Sequence, residues 1–134
     1  MILFDVNVLI YAHREDQRDH DFFRQKLEAV VRQEAPFGMS PLVAAGFVRI
    51  VTQPNFPNGP TPLVQALVVV ESLMQQPNAH WITPGKCHWE LVAGLCRATH
   101  ATGKSVADAQ HAAIAVEHAC TWVSRDREDR RAHV

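Results

Sequence analysis

No run in this sequence approaches the roughly 18 consecutive apolar residues that a bilayer-spanning helix requires, so no membrane segment is expected. Cysteine is scarce. Cys87, Cys96 and Cys120 are odd in number and form no CxxC pair, which argues against a disulfide framework or a zinc knuckle and for a reducing, cytoplasmic setting. Charge of one sign is also missing: 13 Lys and Arg against 14 Asp and Glu leave a formal net charge of −1. A nucleic-acid partner would therefore have to be met by a local basic patch, a bound cation or a second subunit, not by a global positive field. The C-terminal stretch is locally Arg-rich at Arg125, Arg127, Arg130 and Arg131, but Asp126, Glu128 and Asp129 dilute it. Repeats, low-complexity tracts and an internal domain boundary are lacking, as are HExxH, P-loop, GxGxxG and Ser or Cys nucleophile motifs. The eight histidines are scattered; His111 and His118 could share a helix face, yet no third ligand lies near enough to suggest zinc.

What is present is the composition of an ordinary globular chain. With 134 residues, 47% hydrophobic and 20% charged, it is expected to form one domain over residues 1–134 with a sizeable core. The opening Met1-Ile2-Leu3-Phe4-Asp5 has no basic flank and reads as a buried strand, not a signal peptide. Residues 20–34 follow helical spacing, with Phe23, Leu27, Val30 and Val31 on one face. A second strand is expected over 37–40, then a helix started by Ser40-Pro41 with Leu42, Val43, Phe47, Ile50 and Val51 continuing its stripe. Residues 53–61, with three prolines and a glycine, read as a loop, and Thr61-Pro62 as the next helix start. A third strand over 80–83, helices over 88–100 and 107–119, and a fourth strand over 121–124 complete the pattern. Trp81, Trp89 and Trp122 read as core or interface packing. Short strands alternating with helices predict an α/β fold with a mainly parallel sheet covered on both faces, and in such sheets ligands gather beyond the carboxyl ends of the strands.

That rule makes three aspartates interpretable. Asp5 ends the first strand, Asp126 closely follows the last, and Asp108 is expected in the first turn of the small-residue helix. Carboxylates brought within a few ångströms of each other hold either a proton or a cation between them. Oxygen-only ligands favour Mg2+ or Mn2+, which suit phosphodiester hydrolysis. Each aspartate also has a purely structural explanation: Asp5 as a helix cap, Ser105-x-x-Asp108 as a capping box, and Asp126 as a turn residue. Arg49 and Lys104 are the cations placed nearest this acidic rim; they either position a phosphate or are solvated surface charges.

At these residues the sequence resembles the PIN-domain family, in particular the VapC toxins of VapBC toxin–antitoxin systems. The resemblance is carried by Asp5-Val6-Asn7-Val8-Leu9-Ile10-Tyr11-Ala12, Gly46-Phe47-Val48-Arg49-Ile50-Val51-Thr52 and His88-Trp89-Glu90-Leu91. It continues through Asp108-Ala109-Gln110-His111-Ala112-Ala113-Ile114-Ala115 and Ser124-Arg125-Asp126-Arg127-Glu128, in family order and spacing across nearly the whole chain. It implies a PIN-like three-layer fold, a Mg2+- or Mn2+-dependent endoribonuclease acting on tRNA or ribosomal RNA, a VapB-type antitoxin as inhibitor, homodimers, and promoter binding through the antitoxin. By motif position, Asp5, Asp108 and Asp126 would be the catalytic metal ligands, with Asn7 and Ser124 supporting them by hydrogen bonds. The chain departs from the pattern at Gly46, where many members carry an acid, and Glu128 is the nearest candidate replacement. Val6 stands where Thr is common, Asp129 where Phe is usual, and the chain stops at Val134 before the usual final strand. The lost acid keeps open a second reading, a PIN-like module that binds RNA or a protein without turnover. A phospho-acceptor domain modified at Asp5 ranks last, because it leaves the Asp108 helix without a role.

Overall fold

The computed structural model describes residues 1–124. The chain alternates short strands with helices: β1 (Ile2–Phe4), α1 (Val6–His13), α2 (His20–Arg32), β2 (Phe37–Met39), α3 (Pro41–Val51), α4 (Leu63–Met74), β3 (Ala79–Trp81), α5 (His88–Thr99), α6 (Lys104–Glu117) and β4 (Thr121–Val123). The four strands form one sheet in the order β3-β2-β1-β4, and every neighbouring pair is parallel. Successive connections carry β1 to β2 to β3 in one direction, whereas the step from β3 to β4 returns across β2 and β1. Parallel crossovers are right-handed, so this reversal puts α1–α4 on one face and α5–α6 on the other. The helix contacts agree: α1 packs on α2 and α3, α3 on α4, and α5 on α6. The three-layer α/β reading therefore holds, and the reversal brings β1 and β4 side by side, served by helices on opposite faces.

The core explains the apolar spacing. Leu3, Val8, Leu9, Phe37, Phe47 and Ile114 are fully buried in one cluster with Phe4 and Trp122. Of the other tryptophans, Trp81 and Trp89 are largely exposed. Ser40 leaves the predicted second strand at Met39 to cap α3, its hydroxyl accepting a 3.1 Å bond from the Leu42 amide, with Pro41 at the first helical position. The third strand runs one to two residues earlier than its apolar pattern suggested. The loop over 53–61 is tied to the end of α1. The Arg14 guanidinium lies 4.7 Å from the Phe56 ring centroid, donates to Thr61 Oγ1 at 3.1 Å, and pairs with Asp16 at 2.8 Å.

One boundary matters for function. The helix read as 107–119 begins three residues earlier, after Gly103 at φ 56°, a left-handed conformation that a glycine adopts without strain. Ser105 is thus already inside α6, where its hydroxyl bonds the Thr102 backbone instead of capping. Asp108 is the fifth residue of the helix, not a first-turn residue, and the capping-box explanation fails. Among the described residues no helix is long and apolar enough to cross a membrane.

Candidate active site

Asp5 follows β1 directly, and its backbone amide still donates to Val123 O of β4 at 2.8 Å, so the strand ladder carries this residue to the junction of the two strands. Its extended backbone (φ −72°, ψ 161°) makes it the N-cap of α1, with Oδ1 accepting from the Val6 amide at 2.6 Å. The cap reading is therefore correct as far as it goes. The second oxygen is also engaged: the Ser124 hydroxyl donates to Asp5 Oδ2 at 2.8 Å. Ser124 is buried at 2% exposure, and its oxygen accepts from Asn7 Nδ2 at 3.2 Å. Asn7, Ser124 and Asp5 thus form one hydrogen-bonded unit across the ends of β1 and β4, which the sequence separates by 117 to 119 positions. Burial raises the Asp5 pKa above its ordinary 3.8, and the neighbouring Asp108 charge adds to this. The Ser124 bond, the Val6 amide and His111 act in the opposite direction without cancelling it.

Asp108 reaches this region from the other face of the sheet. It lines, with Asp5 and Asn7, a cleft of about 450 Å³ that also takes in Val6, Gly46, Arg49, Lys104, Gln110 and His111. Both cations expected at the acidic rim therefore border the same space as the two aspartates. Asp126 and Glu128 lie outside the described residues. Among the described residues no group of three or more His, Cys, Asp or Glu side chains is arranged to hold a metal. The two carboxylates that are present suit a hard divalent cation, since both are oxygen donors. Burial makes the charge of Asp5 costly, and a bound cation would relieve that cost.

His111 is the residue that sequence reasoning passed over, having weighed it only as a zinc ligand paired with His118. Its ring stacks on Trp122 with centroids 5.6 Å apart, and its Nδ1 is buried without a hydrogen-bond partner among the described residues. Burial lowers its pKa, and the negative charges of Asp5 and Asp108 oppose that shift. The available signal was its position three residues after Asp108, which places both side chains on one helix face. His118 turns elsewhere and meets Thr83 O at 2.7 Å. Gly46 borders Val6 so closely that a Cβ at 46 would stand 3.1 Å from Val6 Cγ2. A side chain at position 46 would therefore need Val6 to give way.

A PIN-domain family model matches residues 2–133. Ribonuclease VapC43 of Mycobacterium tuberculosis is 40% identical over 127 residues, covering 95% of this chain and 86% of the relative. Ribonuclease VapC25 of the same organism is 38% identical over 128 residues, with 96% and 90% covered. Two solved structures share the fold at low identity. VapC20 of M. tuberculosis, described as a sarcin–ricin-loop-cleaving toxin, superimposes with a TM-score of 0.73 at 14% identity over 100% of this chain and 97% of its own. VapBC2 of Rickettsia felis, solved bound to a DNA fragment from its promoter, does so with a TM-score of 0.67 at 16% identity, with 100% and 96% covered. Sequence, topology and the Asp5–Ser124 junction lead to the same place: the chain belongs to the PIN-domain family, in its VapC branch.

Proposed function

We propose that this protein is the toxin of a type II toxin–antitoxin pair, an endoribonuclease that hydrolyses RNA phosphodiester bonds with the help of Mg2+ or Mn2+. The observation that carries the reading is Asp5: a carboxylate pushed up in pKa by burial, held at both oxygens, and facing the same cleft as Asp108 at the junction of β1 and β4. The relatives named as VapC ribonucleases, at 38–40% identity, support it. Asp5 and Asp108, with Asp126 from beyond the described residues, are assigned as the ligands, and Glu128, also beyond them, as the candidate replacement for the acid missing at Gly46. A divalent ion there would supply an activated water and neutralise phosphate charge. The chain's own part is positional. Ser124 and Asn7 hold Asp5 in one orientation, so that no reorganisation is needed on binding. Arg49 and Lys104 flank the carboxylates and are assigned to the RNA phosphates, compensating for the absence of a global positive field.

The partners follow from the same reading. A VapB-type antitoxin and a second copy of the chain both need apolar surface, and α4 presents it: Leu63, Val64, Leu67 and Val68 are exposed, and Leu67 with Val70 and Trp81 borders a groove against α3 lined by Pro41, Ala44 and Val48. An amphipathic antitoxin helix fits such a groove. The deciding experiment is RNA cleavage in Mg2+ or Mn2+ with EDTA and Asp5→Ala as controls; unchanged cutting in either control removes these ligands from the mechanism. Gly46 supports one competing reading, a module that binds RNA or a protein without turnover, since the cleft has no acid at that position. Titration calorimetry separates the two: the enzyme binds Mn2+ stoichiometrically and releases product, whereas the module binds RNA with neither.

A further inference from the structure

Helix α3 is apolar on more than one side. Val43, Ala44, Phe47 and Val51 form its core stripe and are buried. A second stripe, Leu42, Ala45, Gly46, Arg49 and Ile50, turns into the cleft that holds Asp5 and Asp108, where it meets Val6 and Ile10 of α1. Leu42 is 37% exposed and Ala45 is exposed, so the core does not account for this face. The lining therefore joins two kinds of surface: carboxylates with Lys104, and the aliphatic side chains of α1 and α3 with Arg49.

A single nucleotide likewise joins an anionic phosphate to a flat, largely apolar base. We propose that the aliphatic wall formed by Val6, Ile10, Leu42, Ala45, Gly46 and Ile50 is a nucleobase subsite, taking one unpaired base adjacent to the scissile phosphate. The inference rests on the ribonuclease reading of the same cleft and deepens it by setting one base of the substrate against named residues, a base that must be able to leave its stack. Three observations favour this occupant. The cleft volume of about 450 Å³ lies within the range of about 300–1,000 Å³ typical of small-ligand sites. The absent side chain at Gly46 keeps the wall low beside Val6, where a Cβ would stand 3.1 Å from Cγ2. Gln110 of α6 borders the same cleft and brings an amide able to donate to and accept from a base edge.

The test has two arms. In the first, the cation-free wild-type protein is titrated with adenosine, guanosine, cytidine and uridine, and separately with ribose 5-phosphate, while the Gly46 amide and Leu42 methyl resonances are followed by NMR. At least one nucleoside shifts these resonances and ribose 5-phosphate leaves them in place. If no nucleoside moves them, or the sugar phosphate moves them equally, the subsite is refuted. In the second, RNA cut by the wild type in Mn2+ is remade with an abasic residue at each position flanking the cut. One such position lowers kcat/KM by about tenfold or more. Leu42→Gln lowers it similarly on intact RNA but adds nothing on that abasic RNA, whereas independent, multiplicative losses refute the contact. Should the wild type cut no RNA in any cation, the nuclease reading fails, while the nucleoside arm still decides the pocket.

Discussion

Replacing Asp5 by Asn removes a buried charge while keeping the shape of the side chain. The amide oxygen can still accept from the Val6 N–H, and its NH2 can donate to Ser124 Oγ, whose own proton is then free to turn toward Asn7. The consequences depend on the cation. Without one, the folded-state pKa of Asp5 lies above its ordinary 3.8 because burial penalises the carboxylate. A raised carboxyl pKa contributes stability while the group is protonated, below about pH 3.8, and loses it as pH rises through the folded value. Cation-free Asp5→Asn is therefore expected to be more stable than the wild type at neutral pH, with a gap that opens as pH climbs from 4 to 7. With Mn2+ at one hundred times its Kd, mass action adds about 2.7 kcal/mol to the wild type. For a chain of this size each kcal/mol moves Tm by roughly 3–5 °C, so a rise of about 10 °C is expected. The variant, lacking one ligand charge, should gain less than about 3 °C at the same Mn2+ concentration. Differential scanning calorimetry in EDTA and in Mn2+, repeated at several pH values, measures all of this. An equal Mn2+ shift in both proteins would remove Asp5 from the cation site. A cation-free wild type that gains stability over the variant as pH rises would refute the burial argument itself.

Further perturbations test the supporting structure. Ser124→Ala leaves Asp5 Oδ2 without its hydroxyl donor, and Mn2+ affinity measured by calorimetry should weaken about 10- to 100-fold; unchanged affinity would mean that Ser124 does not orient the ligand. Gly46→Ala gains about 0.5–1 kcal/mol of helix preference but meets Val6 at 3.1 Å, so the pair Gly46→Ala and Val6→Ala should couple by at least about 0.5 kcal/mol in denaturant unfolding, with additivity refuting the contact. Arg14→Lys keeps the charge but loses the flat stack on Phe56 and the two-pronged contact with Asp16, so proteolysis within 53–61 should accelerate. The same change weakens a pH effect: Arg14 above all, with Asn58 and Gln17, holds the Asp16 carboxyl at about 2, below its ordinary 3.8, a contribution present above pH 3.8 and lost as pH falls through 2. The pH 2–4 limb of the unfolding curve should accordingly flatten in the variant.

Much of the fold was legible in advance, because strand and helix periods are local properties. The apolar run Ile2–Phe4, the Ser40-Pro41 helix start and the proline-rich stretch over 53–61 all appear where short-range chemistry puts them. The misplaced boundary at α6 had a local cause that apolar spacing does not carry. Gly103 in a left-handed turn opens the helix early, and Ser105, which looked like a cap, spends its hydroxyl on Thr102. His111 was missed for a different reason: Trp122 and Asp5 reach it from other elements, and its one local signal, Asp108 three residues earlier on the same helix face, gains meaning only once those neighbours are in place.

By itself the sequence determined the alternation of strands and helices and the family motifs, and made Asp5, Asp108 and Asp126 candidates, because each depends on residues a few positions apart. Only the tertiary structure decided which of those acids share a space. The reversal of strand order after β3 lays β4 against β1, and that pairing alone brings Ser124 within 2.8 Å of Asp5 across 119 positions of chain. The return of α6 from the opposite face then brings Asp108 and His111 to the same cleft. Long-range pairing of this kind is set by burial of whole faces of the sheet, a condition on the assembled chain that no window of neighbouring residues contains.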